Sequence, residues 1–209
     1  PCVSSQPTIP WNNTNASTLP DKGRIALDKS LMIHPITNDS RYFGYHIPYL
    51  LTRPTVLFTK TNPYEDVDWL GDPALIPKEA GAYLLWIELD EPTDLPPVFG
   101  GCLASGTYLY AGSAYGPGGM RSRCTRHISR QKSKRWHVDW LTTVARDVCA
   151  LPVVGGNECA LIAMLGSQGL GWPPVPGFGS SDCRSCRSHL FSVEENVNKP
   201  TISRAVQSL

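Results

Sequence analysis

One apolar segment, GAYLLWIELD at residues 81–90, constrains the fold of this chain more than any other feature. Its apolar and aromatic content predicts a β-strand, which is ended by acidic residues and Pro92. A second strand is predicted for TYLYAGSA, residues 107–114, and it stops at the turn YGPGG, whose glycines can adopt positive φ. The proline- and glycine-rich residues 91–106 between the strands are expected to form a loop or a hairpin arm.

Helical segments follow this pair of strands. Residues 120–131 contain good helix formers and no breaker, and residues 157–169 have apolar positions at helical spacing behind the capping residue Asn157. Residues 137–154 are compatible with a helix, a strand or both in succession, and residues 172–194 with a loop that leads into a short final strand. This order predicts an α/β (α+β) fold in which helices cover a small sheet.

Composition divides the chain into three parts. Residues 1–78 have balanced charge and form an N-terminal extension, whose first twenty residues are rich in Ser, Thr, Asn and Pro and are expected to be poorly ordered. Residues 42–61 carry aromatic and β-branched side chains that predict one or two short strands. Residues 79–195 form the main domain, and residues 196–209 are expected to be a loose tail.

The cysteines and the hydropathy bear on location. No run approaches the roughly 18 apolar residues that a membrane span requires, and the opening PCVSSQPTIPWNN lacks the basic start and apolar core of a signal peptide. The chain contains seven cysteines, an odd number. We therefore expect a protein of the reducing cytoplasm that does not contact membranes, with thiols that are free or bound to metal.

Positive charge is concentrated in one short stretch. Seven of the 19 Lys and Arg residues lie between residues 121 and 135, with no acidic residue among them. They are Arg121, Arg123, Arg126, Arg130, Lys132, Lys134 and Arg135. A solvated helix face is one explanation, but the run follows a glycine-rich turn that opens a helix, where backbone N–H groups also favour anions. We therefore predict that the run binds nucleic-acid phosphates.

Tyrosine, arginine, histidine and glutamate occur in a characteristic order. GAY (81–83) and YAG (110–112) are followed by the helix GGMRSRCTRH and then by the helix NECALIAML. This order resembles the GIY-YIG nuclease superfamily. The longer set GAYLLWIEL, GTYLYAGSA, MRSRCTRHI, WHVDWL, ECALIAML and GFGSSDCRSCRSHLF is similar to its DUF123-type branch, over about residues 79 to 193. Two departures stand out, Ala in place of the Ile of both namesake motifs and a longer spacing between them, which requires an insertion.

The resemblance implies a small, mostly antiparallel sheet flanked by helices, and an endonuclease that depends on Mg²⁺ or Mn²⁺. Tyr83 and Tyr110 would flank the scissile phosphate, and one of them, preferably Tyr83, would activate the attacking water. Arg123, with Arg121 as a competitor, would stabilise charge on the phosphoryl oxygens. Glu158 would bind the divalent metal.

Two histidines are assigned by the same resemblance. His127, and in second place His137, would transfer protons or position the substrate. Because tyrosine has a pKa of about 10, a tyrosine base needs nearby positive charge, which Arg123 and His127 could supply. For His137 the alternative is packing between the neighbouring tryptophans.

A cysteine cluster near the end of the domain suggests a second metal. Cys183, Cys186 and His189 have C-x-x-C-x-x-H spacing, which is a half-site for zinc, and Cys159 could be the fourth ligand. The alternatives are ordinary thiols in a tight loop, or that Asp182 and His189 line the active site.

Three functions are therefore open. The first is a metal-dependent endonuclease, with DNA favoured over RNA as its partner. The second is a non-catalytic nucleic-acid-binding module on the same fold, and the third a zinc-stabilised interaction domain whose basic helix meets an acidic partner. The complete set of Tyr, Tyr, Arg, His and Glu favours the enzyme.

Overall fold

A five-stranded antiparallel sheet organises the part of the chain that the computed structural model describes, which is Cys2 and residues 68–209. The strands of this sheet lie in the order β5-β1-β4-β7-β6, and β2 and β3 form a separate two-stranded ribbon. The elements are β1 (Gly81–Leu89), β2 (Thr93–Asp94), β3 (Cys102–Leu103), β4 (Gly106–Ser113), α1 (Gly119–Ile128), α2 (Asp139–Thr142), β5 (Asp147–Val154), α3 (Glu158–Ser167), β6 (Gly171–Trp172), β7 (Leu190–Val193) and α4 (Lys199–Gln207). The predicted α/β class, with an antiparallel sheet flanked by helices, is confirmed.

Strand β1 is central because it pairs with β4 on one side and with β5 on the other. Its side chains alternate between two hydrophobic cores. Tyr83 and Leu85 enter the core beneath α1 and α2, whereas Leu84 and Trp86 enter the core beneath α3 and α4. A strand that is buried on both faces needs apolar residues at nearly every position, which explains the unbroken pattern of this segment.

The structure shows what lies between β1 and β4, where α1 ends and which elements residues 137–154 form. The β2–β3 ribbon occupies the long spacing between the two tyrosine strands. Helix α1 ends at Ile128, where Ser129 turns to extended backbone, so the helix is shorter than expected. The ambiguous residues 137–154 form α2 and β5 in succession.

The expectation of a loose tail is wrong, because residues 199–207 form helix α4. Ile202, Ala205 and Val206 are buried in the core shared with α3, and they have the i, i+3, i+4 spacing of a helical apolar face. The Asn198 side chain caps the helix by accepting a hydrogen bond from the Thr201 N–H group. The C-terminal segment is thus part of the folded domain.

The described part of the N-terminal extension, residues 68–78, lies against the sheet and α1. The backbone of Leu70 exchanges two hydrogen bonds with Ala150 in β5, with N···O distances of 2.7 and 2.9 Å. At the other end of the segment, the Arg121 N–H group donates to the Pro77 carbonyl. The expectations for the first twenty residues and for strands within 42–61 fall outside the described residues.

One pair of cysteines differs from the expectation. Cys2 and Cys102 form a disulfide that spans 100 residues of sequence, so the prediction of thiols that are free or metal-bound is wrong for these two. The pairing places Cys2 beside β3, a proximity that sequence spacing does not reveal. The cysteine count therefore no longer supports a reducing compartment. Among the described residues, no helix has the length and apolar character needed to span a membrane.

Candidate functional site

A polar cleft of about 470 Å³ opens where the ends of β1 and β4 approach the first turn of α3. Side chains from α1, from the loop after it and from the segment before β7 complete its wall. The lining residues are Tyr83, Tyr110, Gly112, Ser113, Tyr115, Gly116, Arg123, His127, Arg135, Trp136, His137, Glu158, Gly179, Ser181, Asp182 and His189. The six residues expected to be catalytic, although separated by up to 75 positions in sequence (83 to 158), are all among them.

The Tyr83 side chain forms a buried hydrogen bond with His127. Its hydroxyl oxygen lies 2.8 Å from His127 Nε2. The opposite ring nitrogen, Nδ1, lies 3.9 Å from the carboxylate of Asp139. A carboxylate on that side favours the tautomer protonated at Nδ1, which leaves Nε2 to accept the Tyr83 proton. Tyr83 and His127 are therefore joined by a hydrogen bond along which a proton can move, and Asp139 completes the line as a negative charge that makes no hydrogen bond to the ring.

His127 is held in its neutral form. Burial, reinforced by the nearby Lys132 ammonium, lowers the pKa of His127 to about 3. The expectation that His127 supplies positive charge to the tyrosines is wrong, because desolvation of the imidazolium outweighs the attraction of Asp139. A neutral imidazole is, however, the form that can accept a proton.

The tyrosines are also harder to ionise than expected. Burial, with the neighbouring Tyr110 hydroxyl, raises the pKa of Tyr83 well above its ordinary value, and burial raises that of Tyr110 to about 12. The positive charge of Arg123 lowers both pKa values but is outweighed. A Tyr83 base would therefore have to pass its own proton on to His127 as it takes one from water.

Asp139 holds Arg126 and the backbone of Arg135 and Trp136 beside the cleft, a role that is not predicted from the sequence. It is fully buried, and its Oδ2 accepts hydrogen bonds from the backbone N–H groups of Arg135 and Trp136 and from the Arg126 guanidinium. Burial alone would raise the pKa of Asp139, but these backbone donors and the nearby Lys132 bring it below its ordinary value. Asp139 is therefore an anion behind His127. A lone aspartate in WHVDW gives no sequence signal of this role.

Glycine is required next to both tyrosines. A Cβ at Gly112 would overlap the hydroxyl of Tyr83, and a Cβ at Gly179 would press on the ring of Tyr110. Gly179 also has a φ of 70°, which disfavours other residues. The glycine of YAG thus makes room for the tyrosine of GAY across the β1–β4 pair, where Tyr83 and Gly112 are register partners.

Of the two arginines considered for the phosphate, Arg123 is the one that lines the cleft. Its guanidinium lies over the Trp136 ring, 4.6 Å from the ring centroid. Arg121 instead donates from Nε to the Ile76 carbonyl oxygen at 2.6 Å, which holds it against the segment before β1.

His137 also lines the cleft, and its neighbours are phenylalanines instead of tryptophans. Its ring centroid lies 4.8 Å from that of Phe99 and 5.6 Å from that of Phe178. The Gly179 N–H group donates to His137 Nδ1 at 3.1 Å, and burial lowers the pKa of His137. Its contacts are those of a neutral ring that supports the wall of the cleft.

Two carboxylates, Glu158 and Asp182, also line the cleft. Glu158 is the first residue of α3, where the Asn157 side chain caps the helix by accepting from Cys159 N and Ala160 N. Asp182 lies on the loop before β7 and lines the cleft together with His189. Carboxylate oxygens are the ligands that Mg²⁺ and Mn²⁺ prefer.

The four predicted zinc ligands come together beside these carboxylates. One ligand atom from each of Cys159, Cys183, Cys186 and His189 lies within 4.8 Å of the others, so the group could hold a metal ion. The Sγ atoms of Cys159 and Cys183 are 3.5 Å apart. The structure therefore supports the fourth ligand, Cys159, that the sequence proposed at a distance of 24 residues from Cys183.

Comparison with known proteins identifies the family. Residues 82–209 match the family model described as "Domain of unknown function DUF123". The chain belongs to the DUF123 family. Every residue that lines the cleft lies within the matched range. No curated protein matches the chain, and no solved structure does.

The basic residues of this DUF123 domain divide into two groups. Arg135 and Lys134 are exposed, and Arg135 lines the cleft. Lys132, in contrast, is buried, and its ammonium donates to the Arg126 and His127 carbonyl oxygens and to Thr142 Oγ1. The expectation of a phosphate contact from Lys132 is therefore wrong, because its donors are used inside the domain.

Two further arginines form hydrogen bonds within the DUF123 domain, Arg126 half-buried and Arg130 exposed. Arg126 pairs with Asp139 at 2.7 Å and lies over the Trp136 ring. Arg130 donates to the Arg146 carbonyl oxygen at 2.6 Å. Part of the basic run thus supports the wall of the cleft. Among the described residues, the side chains of Arg123, Lys134 and Arg135 form no hydrogen bond or ion pair.

Proposed function

We propose that this DUF123 domain is a metal-dependent endonuclease of the GIY-YIG type that hydrolyses phosphodiester bonds in DNA. The observation that carries the proposal is that Tyr83, Tyr110, Arg123, His127 and Glu158 line a single cleft. They come from β1, β4, α1 and α3, so their convergence is a property of the fold and not of sequence proximity. DNA is proposed ahead of RNA because of the nuclease resemblance of the motif order.

Water activation is assigned to the line formed by Tyr83, His127 and Asp139. As water attacks phosphorus, its proton passes to the Tyr83 oxygen while the Tyr83 proton passes to His127 Nε2, 2.8 Å away. The Asp139 carboxylate, 3.9 Å from Nδ1, offsets part of the cost of the imidazolium that forms. This relay never requires a free phenolate, which fits the raised pKa of Tyr83.

Charge on the phosphate is assigned to Arg123. A guanidinium in a partly water-excluded cleft can neutralise the phosphoryl oxygens as charge develops in the transition state. Stacking on Trp136 fixes its position before substrate binds. Arg135, at the rim of the same cleft, would hold a neighbouring phosphate of the strand.

Glu158 is the proposed ligand for Mg²⁺ or Mn²⁺. Its carboxylate is half-buried at the cleft, and within residues 68–209 no basic side chain forms an ion pair with it. Asp182 in the same cleft could complete the oxygen donors. When bound, such an ion acts as a Lewis acid and stabilises the leaving oxyanion.

Zinc is the ion that we propose for the Cys159, Cys183, Cys186 and His189 group. Three thiols and one imidazole match the donor set of a closed, structural zinc site, and hard ions such as Mg²⁺ avoid sulfur. Zinc would therefore bind the sulfur ligands and Mg²⁺ or Mn²⁺ the carboxylate oxygens, although the two sites adjoin.

The test is cleavage of plasmid, linear duplex, single-stranded and branched DNA with Mg²⁺ or Mn²⁺. We expect metal-dependent cutting that is lost in Glu158→Ala and kept in Glu91→Ala, a matched change at an exposed loop residue. If wild type cuts nothing while DNA binding is intact, the domain is a binding module. If neither cutting nor binding occurs, an interaction domain becomes the better proposal.

A further inference from the structure

The four zinc-ligand residues come from two separate segments of the chain. Cys159 lies in the first turn of α3, whereas Cys183, Cys186 and His189 lie between β6 and β7. Within residues 173–189 there is neither a helix nor a strand, so this loop has no regular hydrogen-bond ladder of its own. An ion bound to all four would join α3 to the loop.

Each carboxylate of the cleft directly precedes one of these ligands. Glu158 is followed by Cys159, and Asp182 is followed by Cys183. The two Sγ atoms are 3.5 Å apart. Fixing the two sulfurs on one ion therefore fixes the backbone positions from which both carboxylates enter the cleft.

His189 links the same site to the tyrosine strand. Its N–H group donates to the Phe178 carbonyl oxygen at 2.8 Å, and its own carbonyl oxygen accepts from Ala111 in β4, between Tyr110 and Gly112. The side chain is only 5% exposed, and Nε2 has no hydrogen-bond partner in the described part of the chain. A buried ring nitrogen without a partner is costly, and a ligand that engages this imidazole offsets that cost.

The direct polar contacts between Cys159 and the loop run through sulfur. Besides the Cys183 contact, Ser185 Oγ lies 3.8 Å from Cys159 Sγ. Hydrogen bonds to thiols are weak, so they hold the two segments less firmly than four metal–ligand bonds.

We infer that zinc at Cys159, Cys183, Cys186 and His189 sets the relative position of Glu158 and Asp182, the two carboxylates of the cleft. The inference rests on the proposed zinc and not on the proposed cleavage. The ion has a positioning role and does not touch the substrate. Removing it releases the start of α3 and residues 180–189 while leaving β1 and β4 in place.

The first measurement is the metal content of the full chain, purified under non-reducing conditions. We expect one zinc per chain, and visible absorption bands of tetrahedral thiolate coordination after exchange with Co²⁺. Cys159→Ser and Cys183→Ser should lose the zinc. Ser185→Ala should keep it, because it removes only the hydrogen bonds to the thiols. A chain without zinc, or one with a Cys159–Cys183 disulfide in mass spectrometry, would overturn the inference.

The second measurement is hydrogen exchange of the wild-type chain before and after a chelator removes zinc. Amide exchange should rise several-fold at residues 156–160 and 180–189 and stay unchanged in β1 and in β4, except at Ala111, whose N–H group donates to the His189 carbonyl oxygen. Unchanged exchange at those two segments would refute the positioning role, and so would an equal rise throughout the sheet, which indicates a fold-wide effect.

These outcomes are separate from the nuclease assay. A chain that binds zinc and shows the local protection but cuts no DNA would uphold this inference and reject the endonuclease. A chain that cuts DNA in a Glu158-dependent manner but takes up no zinc would do the reverse.

Discussion

The hydroxyl of Tyr83 and Nε2 of His127 are 2.8 Å apart in the interior of the domain, in a pair that joins β1 to α1. His127 is neutral, so its Nε2 lone pair is available to the Tyr83 hydroxyl. The relay proposed for water activation depends on this contact. Several consequences of the pair and its surroundings are open to measurement.

Removing either member of the pair should stop cleavage while leaving DNA binding intact. We expect Tyr83→Phe and His127→Gln each to lower the single-turnover cleavage rate by roughly 10²–10⁴-fold, the usual contribution of general base catalysis. The double variant should be hardly slower than either single variant, because one relay is lost in all three. Additive losses would contradict a shared proton path. Tyr108→Phe is the matched control, since that hydroxyl bonds to the Ala104 carbonyl oxygen away from the cleft.

His127 should also make the fold sensitive to mild acid. Its pKa is about 3 in the folded state and about 6.5 when unfolded, so between these values the unfolded chain binds the extra proton. Stability should therefore rise with pH in this window, by up to ~1.4 kcal/mol per pH unit for this group. Urea unfolding at pH 5 and pH 7 measures the difference. It should shrink in His127→Gln, and an unchanged difference would count against the buried neutral ring.

Asp139 should matter for stability as well as for the relay. Asp139→Ala would leave the Arg126 guanidinium and the backbone N–H groups of Arg135 and Trp136 without their acceptor. It would also remove the negative charge that lies 3.6 Å from the Lys132 ammonium. Breaking a buried charge pair in this way costs about 3–5 kcal/mol, to be read from denaturant unfolding. Asp139→Asn keeps the shape of the side chain and should fold better, but it should still cleave slowly because it removes the negative charge behind His127. If Asp139→Asn cleaves as fast as the wild type, the negative charge of Asp139 has no part in the mechanism.

Gly112 should be intolerant of even one methyl group. Gly112→Ala places a Cβ on the Tyr83 hydroxyl, so the ring must move. A displacement of this kind costs about 1–3 kcal/mol of stability, and a misplacement near 1 Å can slow catalysis about 10²-fold. Gly71→Ala, which has nothing within 4 Å of its new Cβ, is the control. Equal cleavage rates for the two variants would show that catalysis does not depend on the position of the Tyr83 ring.

Substitutions in the two groups of basic residues should have different effects on the salt dependence of DNA binding. Arg123→Ala and Arg135→Ala should each reduce the slope of log K against log salt concentration by about one, as expected when one phosphate contact is lost. Lys132→Ala should leave the slope unchanged and lower stability, because its ammonium is bonded inside the domain. A reduced slope in Lys132→Ala would mean that this lysine turns outward to DNA.

The sequence predicted well those residues whose types and order carry the information. The apolar run of β1 and the capped helix α3 are local patterns, which a single sequence retains. The order of Tyr, Tyr, Arg, His and Glu can also be read along the chain, although these residues meet only in the fold. The role of Asp139, in contrast, cannot be predicted from the sequence. It depends on two backbone N–H groups and on Arg126 converging on one carboxylate, which only the folded chain shows.

The misplaced expectations have a common cause. The basic residues between 121 and 135 are predicted from the sequence to bind phosphates. The Lys132 side chain turns inward instead, because Thr142 and two carbonyl groups of α1 lie within its reach. The tyrosine pKa values were expected to follow nearby charge, whereas burial, which a sequence does not report, has the larger effect. The helix after residue 198 was missed because its apolar face is narrow, with only Ile202, Ala205 and Val206 buried.

The bond between Cys2 and Cys102 makes a covalent ring of the first half of the chain. A protease that cuts once anywhere between these residues opens the ring without releasing a fragment. The nicked protein would keep its full mass and would separate into two pieces only after reduction. Electrophoresis with and without a reducing agent therefore distinguishes an intact N-terminal half from a cut one, and a gel run only under non-reducing conditions would count the cut protein as whole.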